Sequence, residues 1–262
     1  MLVINGFIRG EDMRLLGISL AVLISTNAFG YDLPIKACFT EWYPYSYVKD
    51  NQPTGLSIDI YSAIIKRAGL TISYEMKPWA RCKLEFFRGK FNALVDGNKD
   101  IPNSLNVKQG PISWVLLFWV HEKSPYQKYL GYSQFDNRNI GYVRGYTYPK
   151  EFLDYRRFYH KVDVTNDLKG LEILDKGRFD AFLGDLLNNN QLVKDKNLNV
   201  RALAPVVEHS YLTLSFSESL PDHHDKFEMA LNQMYQDGSI DFFYKKHLGI
   251  TYKKFIKKYV GE

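Results

Sequence analysis

Cysteine is scarce in this 262-residue chain, which contains two, Cys38 and Cys82. Two thiols are too few for a cysteine-based metal site. The six histidines are scattered apart from His223 and His224, a pair that we interpret as the solvated start of a helix. An even pair of cysteines is more often a disulfide than two free thiols in an oxidising compartment. We therefore expect a disulfide and no metal or other cofactor.

Long hydrophobic runs and an excess of one charge are also absent. The two strongly apolar stretches, residues 15–24 and 114–120, are roughly half or less of the about twenty residues that span a bilayer as a helix. The formal net charge of +5 is mild and spread along the chain, so we expect no nucleic-acid partner. The sequence shows no nucleophile–base motif and no phosphate-binding loop, so we expect no enzymatic activity.

The N-terminal residues have the pattern of a secretory signal peptide. Arg14 precedes the apolar stretch 15–24, and residues 25–30 contain small side chains near a cleavage point. Cleavage after Gly30 fits best, which makes Met13 the better candidate for the true start. The pattern predicts a cleaved signal peptide and therefore a periplasmic protein. The alternative is that these residues form an uncleaved helix of the core.

A repeated segment is the clearest internal signal. Residues 88–97 and 176–185 share a basic residue and Gly where a helix would end, then an aromatic residue and an apolar run. In both segments an aspartate follows the apolar run. A helix end followed by a buried strand, occurring twice, predicts two similar α/β units.

Hydrophobic periodicity around the repeats predicts alternating strands and helices, and hence parallel sheets with right-handed crossovers. Ser57 is the predicted cap of the first helix, and Gly69 its end. The predicted strands are residues 35–39, 72–76 and 91–95 in the first unit and 140–143, 162–164 and 179–183 in the second. If the first strand lies between the second and third, the helix from about 79 to 88 crosses it and carries Cys82 above Cys38.

Two extended passages, residues 114–120 and 200–216, connect the units and predict a double-stranded hinge. The final helices, near residues 226–235 and 240–247, pack most economically on the first unit. The predicted organisation is a signal peptide (1–30), a discontinuous first lobe (31–122 with 209–262) and a second lobe (123–208). A single six- or seven-stranded sheet containing both repeats is the alternative.

Ligands of open α/β sheets bind beyond the carboxyl ends of the strands, so the residues that follow the predicted strands are the candidate site. We expect Arg81 to bind a carboxylate and Asp185 an ammonium group. Asp185 could instead cap the helix that begins at Leu186, and Trp79 could belong to the core. The candidate ligand-binding residues are Glu41, Tyr43, Tyr45, Trp79, Arg81, Asp96, Gly97, Asn98, Tyr146, Thr147 and Asp185.

The order of the motifs resembles the type II periplasmic solute-binding proteins of the amino-acid-binding family, bacterial extracellular solute-binding family 3. The resemblance covers about residues 33–249 and implies a two-lobed Venus-flytrap fold, α/β in class, with two parallel or mixed sheets joined by a two-stranded hinge. It rests on Pro44 and on residues 55–60, 67–70, 78–81, 89–93, 145–148, 177–181 and 237–239.

One stretch departs from that family. Its amino-acid binders usually carry an Arg for the ligand carboxylate a few residues after the third strand, whereas residues 100–105 of this chain contain no Arg. Asp185 matches the family's carboxylate for the ligand amino group.

The resemblance implies a monomer that binds a small polar solute by hinge closure and delivers it to the membrane permease of an ABC importer. Two alternatives remain open: a periplasmic sensor read by a membrane receptor, and a dehydratase-like enzyme in which Glu41 acts as general acid or base.

Overall fold

The computed structural model describes residues 33–261. The predicted signal peptide, with its cleavage after Gly30 and its start at Met13, lies outside the described residues.

The first half of the chain forms a βα unit with a short hairpin inserted after its first strand. Its elements are β1 (Ile35–Phe39), β2 (Tyr47–Lys49), β3 (Gln52–Thr54), α1 (Leu56–Arg67), β4 (Ile72–Met76), α2 (Trp79–Phe87), β5 (Ala93–Gly97) and β6 (Ser104–Leu105).

The second half begins with a long strand and ends with three helices. Its elements are β7 (Ile112–His121), a 3₁₀ turn (Tyr132–Phe135), β8 (Asn139–Val143), α3 (Lys150–Asp154), β9 (His160–Val164), α4 (Asp167–Asp175), β10 (Ala181–Asp185), α5 (Leu186–Lys196), β11 (Val200–Ser217), α6 (Pro221–Gln236), α7 (Ser239–Leu248) and α8 (Tyr252–Tyr259).

The two units have the same strand order, as the repeat predicts. In the first, β1 lies between β4 and β5 and is parallel to both. In the second, β8 lies between β9 and β10 and is again parallel to both. Gly89 and Gly177 follow α2 and α4 with φ of 72° and 67°, a left-handed conformation that glycine adopts without steric cost. The repeated sequence therefore encodes a repeated α/β unit.

The units are joined by the two longest strands. β7 and β11 pair antiparallel from Val200 opposite His121 to Leu212 opposite Ile112, with a register shift between Leu203 and Glu208. β11 continues into the first unit beside β5, and β7 borders β10 of the second unit. The hydrogen-bonded path of strands is therefore continuous, but the two parallel sets are connected through this antiparallel pair. The two-lobed architecture with a two-stranded connection is confirmed, while the exact lobe boundaries stay a prediction.

Helix α1 begins differently from the prediction. Its cap position is Gly55, with φ of 120°, and Ser57 makes no capping hydrogen bond. The first backbone N–H groups of the helix instead donate to the carbonyl oxygens of Pro44 and Tyr45, at 2.9 and 2.8 Å. A Cβ at Gly55 would lie 2.3 Å from the Tyr45 oxygen. The loop after β1 thus takes the place of a side-chain cap, and the prediction of Ser57 as cap is wrong.

The C-terminal helices pack on the first lobe, as predicted. Both α6 and α7 contact α1, and α8 packs on α7; α8 was not predicted from the sequence. His223 is buried in the first turn of α6, with Nε2 2.9 Å from the carbonyl oxygen of Leu33. The interpretation of His223 as solvated is therefore wrong, because a backbone carbonyl partners its ring. Among the helices of residues 33–261, none has the length and hydropathy to cross a membrane.

Cys38 and Cys82 form the predicted disulfide. Cys38 lies on β1, Cys82 in the first turn of α2, and their Cα atoms are 5.4 Å apart. Both side chains are completely buried. Because β1 is the middle strand of its parallel set, α2 contacts it on the way to β5, which brings the two cysteines together.

Replacing both cysteines with alanine should lower the free energy of unfolding by about 3–4 kcal/mol, since the bridge closes a loop across a sequence separation of 44 residues. Denaturant titration of the oxidised protein and of the double variant measures the difference. A change below about 1 kcal/mol would show that the loop contributes little to the entropy of the unfolded chain.

Candidate functional site

A cavity that is partly open to solvent lies where the two lobes meet. The first lobe contributes the ends of β1 and β5 and the start of α2, the second lobe contributes the loop after β8, and the connecting strands contribute the rest. The lining residues are Thr40, Trp42, Ser46, Trp79, Val95, Asp96, Gly97, Asn98, Ile101, Trp114, Tyr146, Thr147 and Leu212. Six of the candidate residues are therefore brought together: Trp79, Asp96, Gly97, Asn98, Tyr146 and Thr147.

Aromatic rings form much of the cavity wall. The ring centre of Trp42 lies 6.2 Å from that of Trp114 and 6.0 Å from that of Tyr146, and the latter two are 6.3 Å apart. Tyr146 comes from the second lobe, Trp42 from the loop after β1, and Trp114 from β7. The indole nitrogens of Trp42 and Trp114 are buried and have no hydrogen-bond partner.

Trp42 and Trp114 were not among the candidate residues predicted from the sequence. Trp114 lies in a strand in which nine of ten residues are buried, so no alternation of polar and apolar residues marks the side that faces the cavity. Trp42 lies in the loop that we singled out, but its neighbours Glu41 and Tyr43 were chosen instead.

Asp96 is the acid that lines the cavity. Its Oδ1 accepts a hydrogen bond from the Tyr61 hydroxyl at 3.0 Å, and its Oδ2 is buried without a hydrogen-bond partner. Burial raises the pKa of Asp96 to about 7. The hydroxyl of Ser57, which is nearby but forms no hydrogen bond, and the hydrogen bond from Tyr61 partly offset this by favouring the ionised form. Asp96 is therefore poised to change its charge near neutral pH.

Asp185 is completely buried and closed off by both lobes. Its Oδ1 accepts from the backbone N–H of Asn188 at 2.6 Å, which caps α5. Its Oδ2 accepts from the hydroxyl of Tyr45, across the lobes, at 3.0 Å. Burial raises the pKa of Asp185 to about 8, and the neighbouring Asp167 raises it further while Asn188 and Tyr45 lower it. The capping alternative is thus confirmed, and Tyr45 donates a hydrogen bond to the carboxyl group that we expected to bind an ammonium group.

A third buried acid supports the second-lobe wall of the cavity. Asp167 accepts a hydrogen bond from the hydroxyl of Tyr146 at 2.9 Å. Burial raises the pKa of Asp167 to about 6, and hydrogen bonds from Tyr146, from its own backbone and from Asn188 oppose this rise. The contact fixes the Tyr146 ring against the two indoles.

Three other candidates lie outside the cavity. Glu41 and Tyr43 are exposed, and the Tyr43 ring packs on Tyr47 with 5.0 Å between centres. Arg81 is 56% exposed and pairs with Glu85 one turn along α2. Trp79 and Arg81 are two residues apart on this helix and so project in different directions, which is why Trp79 reaches the cavity and Arg81 does not. Their roles in binding stay predictions.

A wider and more polar space of about 1380 Å³ continues from the cavity and shares Asn98, Trp114 and Thr147 with it. Its charged lining residues are Lys99, Asp100, Lys108, Lys150 and Glu208. Directly after β5, Lys99 and Asp100 therefore line this outer space, Asn98 lines both spaces, and Ile101 lines the inner cavity.

The three buried carboxyl groups should make the unliganded protein less stable as the pH rises. A folded-state pKa above the unfolded value means that the native state binds more protons, so stability is lost as the pH rises between the two values. For Asp96 this window runs from 3.8 to about 7. Within it, Asp96 contributes a slope of up to about 1.4 kcal/mol per pH unit.

The Asp96→Asn variant isolates this contribution. As the pH rises from 4 to 8, the free energy of unfolding of the variant should increase relative to that of the wild type. Denaturant titration of both proteins at each pH measures the difference. A difference that does not change with pH would contradict the raised pKa of Asp96.

Comparisons with known proteins agree with this architecture. The family "Bacterial extracellular solute-binding proteins, family 3" matches residues 35–250. No curated protein sequence matches the chain.

Solved structures of similar fold cover most of the chain. One is a histidine kinase sensor domain with similarity to periplasmic binding proteins, with a TM-score of 0.74 at 15% identity, covering 84% of this chain and 98% of that one. A mutant of ArgBP from T. maritima has a TM-score of 0.69 at 14% identity, covering 82% and 95%. The arginine-, lysine-, histidine-binding protein ArtJ from Geobacillus stearothermophilus has a TM-score of 0.67 at 18% identity, covering 86% and 99%. The chain has two similar lobes with a cavity between them, and the family match covers most of its length. It therefore belongs to family 3 of the bacterial extracellular solute-binding proteins.

Proposed function

We propose that this protein captures a small polar solute in the cavity between its lobes and presents it to the membrane permease of an ABC importer. The observation that supports this most directly is the cavity itself, which is lined by side chains from both lobes. A solute held there contacts both lobes at once, so it stabilises the closed arrangement over an open one.

Closure requires a flexible connection, and β7 with β11 provides the candidate. The register shift between Leu203 and Glu208 interrupts the ladder where β11 passes from one lobe towards the other. Irregular pairing leaves fewer backbone hydrogen bonds to break when the strands bend. The Tyr45–Asp185 hydrogen bond is one contact that opening would break.

The residues that we propose to contact the solute are those of the inner cavity. Trp79, Tyr146 and Thr147 form part of the cavity wall. Asp96 contributes a carboxyl group whose Oδ2 has no hydrogen-bond partner. Gly97 lines the cavity at the end of β5, where it packs directly against β11, because a Cβ there would lie 2.1 Å from the Ser215 hydroxyl oxygen. Asn98 lines both the inner and the outer space.

Similar structures illustrate two uses of this fold. One is the substrate-binding protein of an amino acid ABC transporter, and another is a histidine kinase sensor domain. Import and sensing differ in which membrane protein reads the closed form. We propose binding without catalysis in both cases, since Glu41, the candidate acid–base residue, is exposed and outside the cavity.

Expression in a Gram-negative host should place the protein in the periplasm as a monomer that begins at Tyr31. The short apolar run and the small residues at positions 28 and 30 favour export and cleavage there. Intact mass of the periplasmic fraction measures the start. An Ala28→Lys variant, which removes a small residue from the cleavage site, should accumulate as precursor. Unprocessed wild-type protein in the cytoplasm would contradict the proposal.

A solute that the cavity recognises should raise the thermal midpoint of the purified protein. At one hundred times its dissociation constant, a ligand adds about 2.7 kcal/mol of stability, which corresponds to about 5 °C or more for a chain of this size. A thermal-shift screen of amino acids, organic acids and polyamines at millimolar concentration is the measurement.

Two tryptophans on one strand provide a matched pair for this screen. Trp114 and Trp119 both lie buried in β7, but only Trp114 lines the cavity. Trp114→Phe should reduce the ligand-induced shift, and Trp119→Phe should preserve it. Equal effects of the two changes, or no shift with any solute, would count against binding in the cavity.

A further inference from the structure

We propose that the solute of the inner cavity is an organic cation without a carboxylate group, such as an amine, a guanidine or an amino-acid amide. This inference rests on the proposed function and adds the chemical class of the solute. It follows from the charges, the aromatic rings and the unpaired polar atoms of the cavity lining.

The charge of the lining is one-sided. Among the described residues that line the inner cavity, the acid Asp96 has no basic counterpart. Arg81 points away and pairs with Glu85, and Lys99 lies on the outer space. A carboxylate in the inner cavity would lose its hydration next to an aspartate and gain no cation in return, which is unfavourable.

The basic side chain of Lys83, next to the cavity-lining Trp79, has another role. The Lys83 ammonium lies 5.6 Å from the Trp79 ring centre and donates a hydrogen bond to the carbonyl oxygen of Gly145 at 3.2 Å. This bond joins α2 of the first lobe to the loop after β8 in the second lobe. Lys83 thus helps to hold the lobes together in the closed form and does not line the cavity.

The aromatic walls favour a cation. Trp42, Trp79, Trp114 and Tyr146 surround the same space, and the faces of indole and phenol rings attract ammonium and guanidinium groups. The attraction is stronger where water is excluded, and both Trp42 and Trp114 are almost completely buried. The aromatic rings and the carboxyl group of Asp96 therefore both favour a cation in the cavity.

Three buried polar atoms of the lining have no hydrogen-bond partner: Oδ2 of Asp96 and the indole nitrogens of Trp42 and Trp114. Buried polar groups normally have a hydrogen-bond partner. We therefore expect the solute to supply the partners of these three atoms. An N–H⁺ group satisfies the aspartate, and a neutral oxygen, such as an amide carbonyl, satisfies an indole N–H. An amino-acid amide offers both without a negative charge.

Neither buried carboxyl group of the second lobe lines the inner cavity: Asp167 is hydrogen-bonded to Tyr146, and Asp185 lies in the contact between the lobes. Both oxygens of Asp185 already accept hydrogen bonds, from Asn188 and from Tyr45, and the residue is completely buried. A cation in the cavity therefore faces Asp96 on the first lobe.

Calorimetric titration of the purified protein with two matched series tests the inference. One series is L-lysine, L-lysinamide and cadaverine, and the other is L-phenylalanine, L-phenylalaninamide and phenethylamine. In at least one series, the two members without a carboxylate should bind at least tenfold more tightly than the parent amino acid. Asp96→Asn should weaken the binding of those members at least tenfold. Asp222→Asn, which removes the same charge from an exposed position at the start of α6, should not.

Each contrary result is informative. Binding of the parent amino acid as tightly as, or more tightly than, its amide and amine in both series overturns the inference, and this wild-type comparison does not depend on how the variant folds. Undiminished binding by Asp96→Asn overturns it as well. If none of the six compounds binds, the inference also fails, and the thermal-shift screen then decides the proposed function. A shift with another solute keeps solute binding, whereas no shift removes both.

Discussion

The antiparallel pairing of β7 with β11 is the interaction on which the rest of the structure depends. Each strand serves as the border of one parallel set and as part of the link to the other. Because two strands cross together, the lobes are kept facing one another, and the carboxyl ends of both sets converge on one cavity. The same pair places Trp114 in the cavity wall. A connection by one flexible segment would not fix that geometry.

Burial of acids is the main electrostatic feature of the closed form. Asp96, Asp167 and Asp185 all have a raised pKa because burial penalises their charged form. Asp167 and Asp185 are hydrogen-bonded to tyrosine hydroxyls, so they support the wall and the contact between lobes. Asp96 and Asp167 each keep one buried oxygen without a hydrogen-bond partner. The three acids share a cause but differ in place, since Asp96 lines the inner cavity and the other two do not.

The loop after β1 connects local structure to the site. Its carbonyl oxygens at Pro44 and Tyr45 cap α1, its Trp42 lines the cavity, and its Tyr45 hydroxyl reaches the second lobe. Beside it, the disulfide ties β1 to α2, the helix that carries Trp79. Closely spaced residues therefore have distinct roles: Glu41 and Tyr43 remain exposed, whereas Trp42 and Tyr45 are buried.

The sequence alone predicted the duplicated α/β units, the two connecting strands and a Cys38–Cys82 disulfide, because hydrophobic periodicity and helix-ending glycines are local or repeated signals and the chain has two cysteines. It also placed Trp79, Asp96 and Tyr146 near strand ends, where the cavity forms. Only the tertiary structure decided that Asp185 meets Tyr45, that Arg81 turns to Glu85, and that Trp42 and Trp114 line the cavity. Those outcomes depend on which side of a helix or a fully buried strand faces the other lobe, and on contacts between residues as far apart as Tyr45 and Asp185, which no local pattern encodes.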